Sequence, residues 1–209
     1  MNMNMLRKQD GIALVTSLML TLVSMTIVMA LMYMITYGTQ ASGQFKRYKT
    51  ALDASYGGTE ILTKDILPMV LRNYSSSTLV SDLVSSTTGF GAIGLQVNTT
   101  QNCLQSKLTK ATANWPAGCD NSPFAAKNSD MNFNLQASTG NPYTVYSKIV
   151  DTTVGNSDVS GLQLEGAGVA EGSTVLTPQH FPYIYRVEIQ GQRQNSQGAQ
   201  GNVEVLYAY

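Results

Sequence analysis

Two cysteines, a single histidine and thirteen carboxylates are what this chain offers to reaction chemistry. Cys103 and Cys119 lack CxxC spacing and have no third soft ligand near them in sequence, so neither zinc binding nor thiol catalysis is implied. Two readings stay open for the pair: a disulfide, or two buried free thiols. A bond across that loop would stabilise the fold by roughly 3 kcal/mol. His180 precedes Phe181-Pro182, which reads as the approach to a strand, and no serine–carboxylate constellation can be assigned to it. It reads as a surface or capping residue rather than a base. Asn156-x-Asp158-x-Ser160-Gly161 opens like a calcium loop, but Ala167 stands where the closing glutamate belongs. Asp130-x-Asn132-x-Asn134 opens in the same way, with Leu135 in the glycine position. No catalytic centre, metal or cofactor is expected.

The remaining chemistry is at one peptide bond. Residues 1–10 are polar and basic, with Arg7 and Lys8, and Gly11 then opens an uncharged, mostly apolar run from Ile12 to Ile35. A cut between Gly11 and Ile12 would leave a chain that begins with its apolar helix. A secretory signal is cut after its apolar region and loses it. At ~1.5 Å per residue the run is long enough to cross a bilayer. Ser17, Thr21 and Ser24 recur at i, i+4 and i+7 on one helix face, for close interhelical packing or for bonding to their own backbone. The run's five methionines give an adaptable apolar surface.

The segment Gly11-Ile12-Ala13-Leu14-Val15-Thr16-Ser17-Leu18-Met19-Leu20 resembles the start of type IV prepilins and pseudopilins. Within that class it is most similar to the PilX-type minor pilins, and secondarily to the K-type pseudopilin of type II secretion. Ala51-Leu52-Asp53-Ala54-Ser55-Tyr56-Gly57-Gly58-Thr59-Glu60 stands where those families carry a small-residue helical stretch, with the acid shifted. The resemblance covers roughly the first sixty residues well and the C-terminal strand pair more loosely. It implies cleavage after Gly11 by a prepilin peptidase, methylation of the new amine, and assembly through an inner-membrane platform with other major and minor pilin subunits. Before assembly the partner is the lipid bilayer.

The fifth residue after the cut is Thr16, where most major pilins have a glutamate. That glutamate is thought to pair with the N-terminal ammonium of the subunit ahead, and an unpaired carboxylate in a membrane is costly. A tip subunit has no neighbour ahead, so its absence fits an initiating or tip position. The plainer reading is a tolerated polar residue in an ordinary anchor. Arg7 and Lys8 favour a cytoplasmic N-terminus, while Lys46, Arg47 and Lys49 past the span blur the count. The junction, the cysteines and the polar remainder decide for N-in, C-out, with the head outside the inner membrane and then in a pilus or pseudopilus.

These features require particular elements. The expected organisation is a leader at 1–11, a membrane-spanning and polymerisation helix at 12–37, its amphipathic continuation at 38–72, and a head at 73–209. Phe45, Tyr48, Leu52, Tyr56, Thr59, Leu62 and Ile66 recur at helical spacing and predict the stripe that covers a sheet. Pro68 predicts a kink or an end, and a helix from Ile12 to Leu67 would be on the order of 80 Å long. Leu79–Val84 reads as a turn or short helix, 91–98 as a first strand, and Val169–Leu176 as an ambiguous element. Residues 131–137 and 143–150 alternate around turn chemistry at 138–142 and predict a hairpin. Tyr183, Tyr185, Val187 and Ile189 predict one strand face, set opposite Val203, Val205, Tyr207 and Tyr209 on a returning strand after a Gln/Gly loop at 191–201. The fold class is α+β and pilin-like, a long helix on an antiparallel sheet. With formal net charge +0 and 12% charged residues, the chain lacks the basic surface of a nucleic-acid binder. The expected role is structural. The alternatives are a K-type secretion pseudopilin and a single-pass anchored binding or sensory domain that keeps residues 1–11.

Overall fold

The computed structural model describes residues 3–122, 126, 128–137, 141–155, 182–194 and 198–209, with residues 3–10 as backbone only. Two compact units divide the chain, Met1–Lys46 and Arg47–Tyr209. The first is helix throughout its described length. Its apolar side chains from Ile12 to Ile35 are exposed, each of the large ones by more than half. None of the described residues buries them, and this helix is long and apolar enough to cross a membrane.

The second unit holds the rest of helix α1 (Met3–Ile61), then α2 (Leu67–Arg72), α3 (Leu79–Val84), β1 (Gln96–Val97), α4 (Gln101–Thr109), β2 (Met131–Leu135), β3 (Tyr143–Thr153), β4 (Ile184–Arg193) and β5 (Gln200–Ala208). The five strands form one antiparallel sheet in chain order. The helical segment from Ala51 to Leu71, with α3 and α4, packs on the sheet face formed by Val145, Ile149, Tyr185, Val187 and Ile189. Such a helix-on-sheet layer buries one apolar face of each element.

Pro68 neither ends nor breaks the helical path. An interior proline lacks its donor and crowds the carbonyl four residues back. Here one wide turn, Leu62–Ile66, precedes it, and Leu67 N–H reaches Leu62 O, five residues back. Pro68 then sits in the first turn of α2, where no donor is required.

The expected C-terminal register is present: Tyr185 faces Tyr207, Val187 faces Val205 and Ile189 faces Val203. Tyr183 and Tyr209 exchange backbone bonds at the end of the ladder. The 131–150 hairpin is also present as β2 and β3. Residues 91–98 are only partly strand, a 3-10 turn at Gly91–Ile93 followed by the two-residue β1. The expected loop at 191–201 is shorter than read, because Gly191 and Gly201 are paired ladder residues. The ambiguous stretch at Val169–Leu176, His180, the calcium-like stretch Asn156–Gly161 and the turn residues 138–140 lie outside the described residues.

Candidate functional site

The residues that join helix to sheet are small. Ala51, Ser55 and Gly58 follow at i, i+4 and i+7 and are buried, with Leu62 and Ile66 continuing the face. The predicted aromatic stripe is corrected here: Phe45, Tyr48 and Tyr56 are exposed. The sheet comes too close for rings. A Cβ at Gly201 would lie 2.5 Å from Leu52 Cα, and one at Gly191 would lie 2.8 Å from Ala51 O. At Gly58 a Cβ would meet the Val145 side chain at 2.6 Å. Into this contact the Ser55 hydroxyl is inserted. Gly191 N–H donates to it at 2.8 Å, and it donates to Gly201 O at 2.7 Å, with Ala51 O at 3.0 Å. Gly191 and Gly201 face each other across β4 and β5, so one helical serine bridges the two strands of the ladder.

Gly11 and Ile12 lie inside α1, both exposed. A Cβ at Gly11 would meet nothing within 4 Å, and alanine favours a helix over glycine by ~1 kcal/mol. Packing therefore gives no reason for a glycine there, and the same is true of Gly38 and Gly43. Thr16 donates to Ala13 O at 3.0 Å, Ser17 to Leu14 O at 2.9 Å and Thr21 to Leu18 O at 2.8 Å. Their hydroxyls are turned back onto their own helix, which lets them sit among apolar neighbours. Ser24 is exposed on the same run and makes no such bond.

Cys103 and Cys119 are joined, with Cα atoms 5.5 Å apart. Cys103 belongs to α4, whose first turn is capped by Thr100 accepting from Cys103 N–H. Gly118 takes φ +100°, a conformation open to glycine, in the turn that delivers Cys119. Beside the disulfide are two buried lysines that the sequence reading passed over. Lys107 Nζ donates to both Asp130 oxygens at 2.8 Å, to Asp120 O at 2.8 Å and to Ile149 O at 3.0 Å, and it lies 5.1 Å from the Trp115 ring centre. Burial pulls the Lys107 ammonium below its ordinary pKa and pushes the Asp130 carboxyl above its own, while their attraction opposes both. Lys148 Nζ pairs with Asp120 at 3.0 Å and donates to Ser122. Asp120 is held well below the usual carboxylate range, first by the Ser122 backbone N–H, with Lys148 and Asn128 adding to it. Every donor of Lys107 has an acceptor, which marks a structural cluster rather than a reactive amine.

Asp130 is therefore occupied, and Asn132 and Asn134 are strand residues paired with Tyr146 and Thr144. The second calcium-like stretch thus runs into β2, which lies between β1 and β3 in the sheet. Among the described residues no group of three or more acidic, histidine or cysteine side chains is placed to hold a metal. A cavity of about 660 Å³ is lined by Leu71, Leu108, Thr109 and the tyrosines at 74, 183, 185 and 209. Tyr185 donates to Leu108 O at 2.8 Å, and burial pushes its phenol up.

An exposed apolar N-terminal helix and a helix-on-antiparallel-sheet head together make a pilin-like architecture. No family model, curated protein or solved structure matches the chain.

Proposed function

We propose that this protein is a minor pilin of a type IV pilus, most like the PilX type, cut after Gly11 and assembled into the filament or its initiating tip complex. The observation that carries the reading is the helix itself. Its apolar residues from Ile12 to Ile35 are exposed, and the same helix continues as the element on which the sheet packs. A span that served only as an anchor would need no continuation into the core.

Function on this account is assembly without catalysis. The apolar helix leaves lipid for neighbouring pilin helices while the head forms the outer surface. Lipid is as apolar as the neighbours, so hydrophobic burial gains little and packing with motor work must drive extraction. Thr16, satisfied by Ala13 O, places no charge in the membrane and needs no subunit ahead of it. This favours a tip or initiating position and keeps the K-type secretion pseudopilin as the second reading. The tyrosine-lined cavity is the feature that would serve an anchored binding domain instead.

Shearing intact cells separates these accounts. A filament subunit is expected in the sheared fraction, at low abundance relative to the major subunit. Recovery in the membrane fraction alone, in cells that carry filaments, would contradict filament incorporation.

A further inference from the structure

One end of the sheet carries an unmatched pair of cations. Arg193 closes β4 and stands opposite Tyr143, which opens β3. Arg47 and Thr50 of α1, together with Gly198 and Ala199 ahead of β5, complete the walls of a cavity of about 160 Å³. Arg47 and Arg193 both line this one hollow, and among the described residues no carboxylate does. Neither arginine has an ion-pair partner among the described residues, and Arg193 Nε is buried without an acceptor.

We propose that the Arg47–Arg193 hollow is an oxyanion site that takes a single phosphate group. A guanidinium presents a planar fork of donors that matches phosphate and carboxylate oxygens. A carboxylate offers its acceptor sites in a single plane. A tetrahedral phosphate has oxygens left for a second fork, which here arrives from a different element. A buried donor without an acceptor is costly, and a bound anion supplies the acceptor that the protein does not. The volume equals about five water molecules at ~30 Å³ each. That admits a phosphate group. Inorganic phosphate and a phospholipid headgroup present the same chemistry. The site stands apart from the filament reading, and its test requires neither processing nor polymerisation.

Arginine footprinting on the full chain reads the site directly. The protein in phosphate-free detergent is labelled with phenylglyoxal, and the rate at each arginine is followed by peptide mass, with Arg72 and Arg186 as internal references. Inorganic phosphate at matched ionic strength is one arm. Nanodiscs of phosphatidic acid without free phosphate are the other. Arg47 and Arg193 should slow together, about tenfold at phosphate ten times above its Kd, while Arg72 is unchanged. Slowing in the first arm alone identifies free phosphate as the source, and slowing in the second identifies the headgroup. Arg193→Gln should abolish the protection of Arg47. No protection in either arm, continued protection of Arg47 in that variant, or equal protection by acetate would overturn the proposal. The acetate result would point to a protein carboxylate.

Discussion

At the scale of single residues, the most demanding position is Ser55. Its hydroxyl satisfies Gly191 N–H and Gly201 O in a buried contact. Ser55→Ala should cost about 1–3 kcal/mol for each stranded group, measured by urea unfolding of the head. Gly201→Ala should cost at least about 1–3 kcal/mol, since the new methyl meets Leu52 backbone. Gly38→Ala, with nothing within 4 Å, should be neutral or stabilising. Equal effects at Gly201 and Gly38 would refute the close-approach argument. Asp120 makes a different claim, about pH. Its folded pKa lies below its unfolded value because Ser122 N–H, Lys148 and Asn128 hold the charged form. Its contribution is therefore complete above the ordinary aspartate range, ~4, and is lost as pH falls from there toward the folded pKa. Asp120→Asn should be less stable than the parent at pH 7, with the gap shrinking below pH ~4. A gap that stays constant down to pH ~3 would remove the assignment. Asp130 has the opposite sign, since burial raises its pKa.

At the scale of elements, the disulfide ties the first turn of α4 to residue 119 across a separation of 16 residues. Closing that loop should contribute roughly 3 kcal/mol. Cys103→Ser with Cys119→Ser should lower the unfolding free energy by that amount, read as a drop in the urea midpoint at unchanged slope, and reductant should have no further effect on the double variant. An unchanged midpoint would mean that the loop is held by Lys107 and Lys148 alone. The elements also show what could be read in advance. The β4–β5 register, α3 and the cysteine pair were legible because alternation, short apolar spacing and cysteine number are local signals. Gly191 and Gly201 were misread as loop residues because glycine signals both turns and close backbone approach. Only the packed helix distinguishes these two uses. The same contact overturned the aromatic stripe, since a helix against a close sheet buries alanine, serine and glycine and leaves its rings outside. Lys107 and Lys148 carry no local signal that marks them as buried. Their partners, Asp130 and Asp120, come from distant positions that only the fold brings near. Helix α4 was missed although Thr100 as a cap, with Leu104 and Leu108 one turn apart, was a signal that could have found it.

At the scale of the whole molecule, the two units make separate statements. Arg47–Tyr209 has its own core, disulfide and sheet. Within Met1–Lys46 the described residues are helical, and the large apolar side chains from Ile12 to Ile35 are exposed. An exposed apolar helix of this length requires a second environment, and on the proposed reading lipid and then neighbouring helices supply it in turn. On that reading, loss of residues 1–11 is what allows the helix to make the transfer. The direct measurement is the N-terminus of the protein recovered from native cells, by intact mass and terminal peptide sequencing. Our account predicts a chain that starts at Ile12 with a methylated amine. A chain that keeps residues 1–11, or is cut elsewhere, would contradict it and leave an anchored binding domain as the leading description.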